Sequence, residues 1–200
     1  MDVQPVTLTG RAVRLEPLSE THVPDLAAVG LEPSIWQHML YGTMATEEQM
    51  RGWVQDMLRR RARGADLPFA VIYLRTGRAI GGTRYLDIRP ADRGLEIGGT
   101  WYGLDYQGTV VNPECKYLLM RHAFETLGCL RVQLKTDVLN LHSQRAIERL
   151  GAVREGVLRD HMITPEGRVR SSVYYSVLAA EWPAVKARLE ARLGQSVGSG

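Results

Sequence analysis

The sequence is poor in cysteine and has no long apolar run. Its 200 residues include two cysteines, Cys115 and Cys129, which do not form a CxxC pair. A disulfide framework is therefore not expected, and both thiols are predicted to lie in the core. Residues 1–5 lack the charged and apolar regions of an export signal, and no segment approaches the length of a membrane span. We therefore expect a protein of the reducing cytoplasm with no membrane partner.

Metal-ligand spacing and strong charge are also absent. The five histidines have no spacing typical of metal ligands, so we predict no metal site: His22, His38, His122, His142 and His161. The formal net charge is only +3, and the one dense basic run is Arg59-Arg60-Arg61 with Arg63 nearby. On a helix these side chains point in different directions, which favours a solvated face over a nucleic-acid patch. Nucleic acid is therefore not an expected partner.

The distribution of apolar residues predicts one α+β domain over residues 1–193 and a disordered tail over 194–200. A first helix is predicted at 19–29 and a second, short one at 34–40. Thr46 and Gln49 have the spacing of a capping box that begins the next helix. Two more helices are predicted at 113–127 and 141–150, and a last helix is predicted to begin near residue 183. Strands are predicted at 8–15, 69–74, 79–87, 95–102, 131–138, 153–162 and 169–178. The strand–helix–strand order between 95 and 138 requires a parallel pair of strands.

The segment Asn112-Pro113-Glu114 is typical of a helix start after a strand. Asn is a strong N-cap, Pro is favoured at the first helical position, and Glu suits the first turn. The free N–H groups of such a start attract an anion, and Gly108 would let a ligand approach the backbone closely. Any strand-to-helix connection shares these features, and Glu114 adds a negative charge, so this segment alone is weak evidence for a phosphate site.

A second segment, from Asn140 to Gly151, combines the end of a strand with a short helix that a glycine terminates. Asn140 is consistent with a simple N-cap, and Ser143 with an ordinary polar residue of the first turn. Taken one residue at a time, neither position indicates a function.

Together these segments resemble the GNAT acetyltransferase superfamily and its RimJ/RimL-like branch. The resemblance extends from about Thr7 to Trp182 and is strongest at 96–101, 107–114, 140–151 and 174–182. It implies a mixed, twisted and splayed β-sheet of about seven strands flanked by helices. It further implies acetyl-CoA as cosubstrate, bound in the gap between the strands at 95–102 and 131–138. The implied activity is N-acetyl transfer to a primary amine, which is a protein N-terminus, an amino acid or a small-molecule amine.

The resemblance also assigns residues to the cofactor. The pantetheine arm would pair with the backbone near 100–102, the pyrophosphate would lie on the loop at 107–112, and the thioester would approach 140 and 143. The implied cofactor-binding residues are Thr100, Trp101, Tyr102, Gln107, Gly108, Thr109, Val110, Val111, Asn112, Asn140 and Ser143. We expect direct attack by the amine without an acyl-enzyme, with an oxyanion donor near a bulge at Gly98-Gly99.

Two catalytic residues are predicted for this reaction. Ser143 would hydrogen-bond the departing thiolate, and Glu96 would accept the proton of the amine through water. Glu96 has a structural alternative, as a solvated strand residue or the partner of an arginine.

Two positions depart from the family pattern. Val110 stands where the superfamily loop has its first glycine, and Ile147 stands where many relatives carry a tyrosine. Val110 weakens cofactor binding if the glycine is needed for a positive φ or for close approach of the phosphate. Ile147 cannot protonate the thiolate, which leaves Ser143 as the candidate.

The acceptor would enter from the other side of the gap, where four residues are candidates to line its path or to pack the core: Trp36, Tyr41, Arg84 and Tyr85. The acceptor itself stays undetermined. The main alternative is a non-catalytic acyl-CoA-binding module, and a second is a nucleic-acid-binding domain. Exposed aromatic and arginine residues would also suit a homodimer interface.

Overall fold

Eight strands form one mixed sheet in the computed structural model, which describes residues 1–195. The strands are Leu8–Thr9 (β1), Val13–Pro17 (β2), Leu67–Tyr73 (β3), Arg78–Arg89 (β4), Gly94–Tyr102 (β5), Arg131–Asp137 (β6), Val153–Ile163 (β7) and Val169–Leu178 (β8). Their order across the sheet is β1-β2-β3-β4-β5-β6-β8-β7. The β5–β6 pair is parallel, as the strand–helix–strand order predicted, and the other neighbours among the described strands are antiparallel.

Five α-helices cover the two faces of the described sheet: Val23–Gly30 (α1), Glu47–Ala62 (α2), Val111–Arg121 (α3), Leu141–Leu150 (α4) and Trp182–Gln195 (α5). One buried cluster lies under α1 and α2, and a second contains residues of α3, α4 and α5. The predicted capping box of α2 is confirmed, since Thr46 accepts from the Gln49 N–H and Gln49 reaches back. α5 includes residues 194 and 195 of the predicted tail, whereas 196–200 lie outside the described residues.

Several predicted boundaries are wrong. The predicted strand 8–15 is two antiparallel strands, because a turn at residues 10–12 separates β1 from β2. The helix predicted at 19–29 is a short 3-10 turn followed by α1. In place of the helix predicted at 34–40 the chain forms a 3-10 turn, Pro33–Ile35, which overlaps that range by two residues. The helix predicted at 113–127 begins two residues earlier and continues beyond α3 as a π-turn, His122–Thr126.

A β-bulge interrupts β5 where it pairs with β4. Gly82 pairs with Trp101 and Arg84 pairs with Gly98, so β5 has one residue more than β4 across this interval. Gly99 adopts a φ of 58°, which favours glycine. The extra residue reverses the alternation, because Ile97 and Tyr102 pack into the same core cluster while Trp101 packs on the opposite face. The predicted bulge at Gly98-Gly99 is therefore confirmed.

The parallel strands β5 and β6 separate soon after they meet. Their register covers Gly94 with Arg131, Leu95 with Val132, and Glu96 with Gln133. Beyond Glu96 both strands continue, β5 to Tyr102 and β6 to Asp137, but no further residues pair between them. The sheet therefore opens between β5 and β6, as predicted for 95–102 and 131–138.

Candidate functional site

The loop that links β5 to α3 exposes backbone N–H groups. Gly108 has a φ of 72°, and a Cβ there would meet no atom within 4 Å. Within the described residues, the N–H groups of Gly108, Thr109 and Val110 donate no hydrogen bond. The side chain of Gln107 donates to the Tyr102 carbonyl over 3.1 Å and thereby closes the loop. Free donors at the start of an 11-residue helix form a surface that suits a phosphate.

The start of α3 differs from the prediction in one respect. Asn112 is not the N-cap, because Val110 occupies that position and Val111 is the first helical residue. The Val111 N–H donates to the Thr109 hydroxyl over 3.3 Å. The side-chain oxygen of Asn112 instead accepts from the Tyr102 hydroxyl over 3.2 Å. Asn112 therefore joins α3 to β5 and does not cap the helix.

Val110, which departs from the family glycine, lies in ordinary backbone. Its φ is −63° and its ψ is −19°, a right-handed conformation that valine tolerates. The positive φ that would require glycine is therefore absent at this position. Only the bulk of the valine side chain remains as a difference that a bound phosphate would meet.

Glu114 points away from this loop and holds the turn between β1 and β2. Its carboxylate accepts from the backbone N–H groups of Arg11, Ala12 and Val13, each over 2.8 Å. The residue is 4% exposed. Its negative charge is therefore stabilised by three N–H donors on the side of the β1–β2 turn and is not presented to an anion at the loop.

Glu96 lies where β5 and β6 separate and is buried, 2% exposed. Its Oε2 accepts from Gln133 over 2.9 Å and from the Lys135 ammonium over 3.0 Å. Its Oε1 accepts no hydrogen bond from the described residues. The cation beside Glu96 is thus a lysine rather than the arginine considered from the sequence, and one carboxylate oxygen stays available for a proton or a water.

Two side chains cover the bulge on the α2 side of the sheet. A Cβ added at Gly99 would lie 2.5 Å from the Tyr41 hydroxyl and 3.0 Å from Arg84 Nε. The Arg84 guanidinium stands over the Tyr41 ring, 5.4 Å from its centroid, and pairs with Asp66 over 2.9 Å. Tyr41 and Arg84 therefore lie together beside the bulge, and their role on the acceptor side stays a prediction.

Trp36 and Tyr85 do not face open space. Trp36 is 2% exposed, donates to the Gly30 carbonyl over 2.7 Å and packs against Trp101. Tyr85 is fully buried on the α3 face, where its hydroxyl donates to the Leu119 carbonyl over 2.6 Å. The prediction that Tyr85 lines the acceptor side is wrong, because alternation along β4 sends Arg84 and Tyr85 to opposite faces.

A polar path across α3, β5 and β4 was not predicted from the sequence. Lys116 is 6% exposed, and its ammonium donates to the Thr100 hydroxyl over 2.7 Å. Thr100 in turn shares a hydrogen bond with Thr83 over 2.8 Å. Burial lowers the pKa of Lys116 to about 8, although Cys115 and Glu96 favour its charged form. The feature of the sequence that could have indicated this path is a lysine on a helix face that is otherwise apolar.

The β6–α4 turn positions the two residues predicted near the thioester. Asn140 is the N-cap of α4, since its side-chain oxygen accepts from the Ser143 N–H over 2.9 Å. The Ser143 hydroxyl has no hydrogen-bond partner among residues 1–195. Ile147 is 6% exposed and belongs to the core. The N-cap interpretation of Asn140 is therefore confirmed, and its side-chain NH₂ group donates to none of the residues that the structure describes.

A buried acid that the sequence did not single out fixes this turn. Asp137 is fully buried at the end of β6, and its Oδ1 accepts from the Leu139 N–H over 3.0 Å. Its Oδ2 forms an ion pair with Arg168 and lies 3.8 Å from His38 Nδ1. The acid thus connects the turn before α4 to the turn before β8 and to the loop after α1. In the sequence, Asp137 was distinguished only by its position on the polar side of the alternating pattern of β6.

Residues 1–195 contain no group of three or more His, Cys, Asp or Glu side chains placed to hold a metal ion. Over the same residues, no helix combines the length and apolar character that crossing a bilayer requires.

A cavity of about 410 Å³ opens beside Tyr41, between the loop that precedes α2 and α2 itself, and Asp56 and Arg60 also line it.

Residues 12–153 match the model of the acetyltransferase (GNAT) domain, and the chain therefore belongs to the GNAT acetyltransferase family. A crystal structure from T. thermophilus, described as a "putative acetyltransferase", is 41% identical. That match covers 96% of this chain and 100% of the other, with a TM-score of 0.88. A GCN5-related N-acetyltransferase from Brucella melitensis is 31% identical, with coverage of 96% and 86% and a TM-score of 0.89. The family and the fold predicted from the sequence are confirmed.

A curated relative agrees with the predicted branch. "Putative ribosomal N-acetyltransferase YdaF" of Bacillus subtilis (strain 168) is 34% identical over 96 residues. The match covers 48% of this chain and 51% of YdaF, so the chain spans about half the length of this relative. Mycobacterium smegmatis RimJ, solved in complex with CoA-disulfide, is 19% identical, with coverage of 94% and 95% and a TM-score of 0.79. RimJ therefore shares the fold.

Proposed function

We propose that this protein is an N-acetyltransferase that transfers the acetyl group of acetyl-CoA to a primary amine. The observation that carries the proposal is the opening between β5 and β6, with free N–H groups at the start of α3 beside it. An opening of this kind accepts an extended ligand between two strands, and the loop accepts the anionic end of that ligand. The RimJ structure with a bound CoA derivative supports the same choice of cosubstrate.

The residues fit acetyl-CoA at both ends of its path. The N–H groups of Gly108, Thr109 and Val110 would bind the pyrophosphate, and the unpaired part of β5 would bind the pantetheine amides. Acetyl-CoA supplies an acetyl group activated as a thioester. Backbone N–H groups near Thr100 and Trp101 would hold the thioester oxygen, because the bulge interrupts the β4–β5 register at Gly99 and Thr100, directly before Trp101 pairs with Gly82.

Two side chains carry the proton transfers in this proposal. Glu96 Oε1, which accepts no hydrogen bond within the described residues, would take the proton of the attacking amine, directly or through water. Lys135 and Gln133 hold the other carboxylate oxygen and so fix the orientation of Glu96. Ser143, whose hydroxyl is not engaged by the described residues, would donate to the departing sulfur.

The acceptor in this proposal is a primary amine that enters on the α2 side. The name of YdaF refers to ribosomal N-acetylation, and we infer that a protein N-terminus is the first class of acceptor to test. Tyr41 and Arg84 lie beside the bulge on this side, and the cavity beside Tyr41 offers room for an acceptor residue. We also infer a cytoplasmic location from the two free buried thiols. A homodimer stays a prediction that sedimentation would test.

Two measurements test the proposed function. Thermal shift with acetyl-CoA should raise the melting temperature, whereas acetyl-pantetheine, which lacks the pyrophosphate, should raise it less. An amine panel of peptides, amino acids and small amines should release free thiol with at least one acceptor. Binding of acetyl-CoA without turnover of any acceptor would contradict the proposed catalysis, and absence of binding would contradict the whole proposal.

Variants then test the two predicted catalytic residues. Glu96→Gln and Ser143→Ala should lower kcat by roughly 10²-fold or more, with the affinity for acetyl-CoA nearly unchanged. The matched control for Glu96→Gln is Glu166→Gln, at an exposed position in the turn after β7. If either active-site variant keeps the wild-type rate, the role proposed for that residue is wrong.

A further inference from the structure

Lys116 is a buried cation without a carboxylate partner. Its side chain is 6% exposed, and it forms no ion pair with the residues that the structure describes. An ammonium has three N–H donors, and Thr100 accepts one of them. Burial of an unpaired charge is unfavourable, and an apolar side chain of similar length would fill the same space at lower cost. Packing alone therefore does not explain a lysine at this position.

The position of Lys116 connects the two ends of the proposed cofactor site. The lysine lies on α3, five residues after the first helical residue, Val111. Its partner Thr100 directly follows the bulge residue Gly99 on β5. The ammonium therefore joins the helix that would bind the pyrophosphate to the strand segment that would bind the acyl group.

The hydrogen bonds fix Thr100 from two directions. An ammonium can only donate, so the Thr100 oxygen accepts from Lys116. The same hydroxyl shares a hydrogen bond with Thr83, which is 3% exposed on β4. Both contacts lie on the α3 side of the sheet, whereas Tyr41 and Arg84 cover Gly99 from the other side. Side chains therefore hold the bulge on both faces of the sheet. Among the described contacts, Lys116 is the cation on the α3 side.

We propose that Lys116 is a positioning residue for acyl transfer, which orients Thr100 at the bulge and places a positive charge behind the N–H groups that receive the thioester oxygen. The inference rests on the proposed function. Negative charge develops on that oxygen as the amine attacks, and a fixed charge in a buried site stabilises it without reorganisation. The residue acts through Thr100 and the backbone.

The charge of Lys116 gives the inference a pH signature. Burial lowers the pKa of Lys116 to about 8, and the titratable groups that oppose this are Cys115 on α3 and Glu96 on β5. Glu96 is itself paired with Lys135. Burial raises the pKa of the Cys115 thiol to about 12, so the thiol is uncharged near pH 8 and leaves Glu96 as the charged group that opposes the shift. Lys116 should therefore lose its charge as the pH rises through about 8, and the charge-dependent part of the rate should fall with it.

The test compares Lys116→Met, Lys116→Arg and the control Lys186→Met with the wild type. Lys186 is a lysine of α5 that pairs with Glu125 on the surface. The first readout needs no acceptor: the infrared carbonyl stretch of acetyl-CoA, ¹³C-labelled at the thioester carbonyl, in its complex with each protein. The stretch should move to higher frequency in Lys116→Met, because the oxygen is less polarised, and stay at the wild-type position in Lys116→Arg and Lys186→Met.

The second readout is steady-state kinetics with the best amine of the panel. Lys116→Met should lose roughly 10- to 100-fold in kcat, with KM for acetyl-CoA within about threefold. Lys116→Arg should keep the rate within about threefold at pH 7 and should gain on the wild type above pH 8, because arginine stays charged. The ionisation of the acceptor cancels in this ratio.

The outcomes separate the two proposals. An unchanged carbonyl stretch in Lys116→Met, or a kcat within about threefold of wild type, overturns the role of Lys116. If Lys116→Met does not fold, a constant ratio of Lys116→Arg to wild-type rates between pH 7 and 9 overturns it instead. If the wild type binds acetyl-CoA but acetylates no amine, the proposed function fails, while the infrared comparison still decides whether Lys116 polarises the carbonyl.

Discussion

Replacement of Glu114 by alanine should destabilise the fold strongly. The carboxylate accepts three N–H groups of the β1–β2 turn, each over 2.8 Å. Arg11 is exposed, so water can replace its lost bond, whereas Val13 is fully buried and Ala12 partly buried. Hydrogen bonds to a charged acceptor contribute about 1.5–3 kcal/mol each, so loss of two gives about 3–6 kcal/mol. This is a large part of the roughly 5–15 kcal/mol that stabilises a typical domain.

Urea denaturation at pH 7 measures the effect, with the m-value as a check on two-state unfolding. Glu114→Gln should cost only about 1–2 kcal/mol, because its amide oxygen can still accept from Ala12 and Val13, which share Oε2 in the wild type. Glu166→Ala, at an exposed position, should stay within about 0.5 kcal/mol of wild type. A loss below about 1 kcal/mol in Glu114→Ala would refute the reasoning, since the buried N–H groups would then have found other partners.

Three further predictions address the bulge, the buried lysine and the thiols. Gly99→Ala should lower both stability and acetyl transfer, because φ is 58° and the new Cβ would lie 2.5 Å from the Tyr41 hydroxyl; thermal melting and the thiol-release assay measure this. Between pH 8 and 10.5 the free energy of unfolding of the wild type should rise by up to roughly 3 kcal/mol relative to Lys116→Met. The reason is that Lys116 still binds a proton in the unfolded state after the folded state has lost it. Urea denaturation at several pH values measures this. Cys115 and Cys129, buried and with pKa values raised to about 12 and about 11, should react with a thiol reagent at pH 7.5 only after denaturation.

Local signals in the sequence predicted most elements of the fold. The capping box at Thr46, the glycine that ends α4 and the alternation along β6 each depend on residues within a few positions of one another. The parallel β5–β6 pair followed from chain order, because a helix must separate parallel neighbours. These features were predictable since the interactions that determine them are short in sequence.

The failures involve partners that are distant in sequence. The predicted strand 8–15 is broken because the turn at 10–12 binds Glu114, more than 100 residues away. Asn112 has the composition of an N-cap, but the Tyr102 hydroxyl engages its side chain and the helix begins at Val111. Tyr85 was placed on the acceptor side because its face of the strand could not be determined until the register of β4 was known.

The same reasoning explains why the most informative residues of α3 were not recognised as site residues. Glu114 and Lys116 are charged, and a charged residue on a helix usually faces solvent. Here they are 4% and 6% exposed, and each contacts a different part of the sheet. Positions two apart on a helix point in widely different directions, so one helix can be attached to β2 by an acid and to β5 by a base.

This double attachment bears on how α3 can serve a ligand. Its first turn must present N–H groups to a phosphate while the bulge on β5, a separate element, must present its own to the acyl group. Catalysis depends on the relative placement of the two, since errors of about 1 Å cost rate. Glu114 fixes the helix to the sheet edge, whereas Lys116 fixes it to the bulge. Loss of Glu114 should therefore appear mainly in stability, and loss of Lys116 mainly in kcat, which makes the pair a direct comparison of a structural and a positioning charge on one helix.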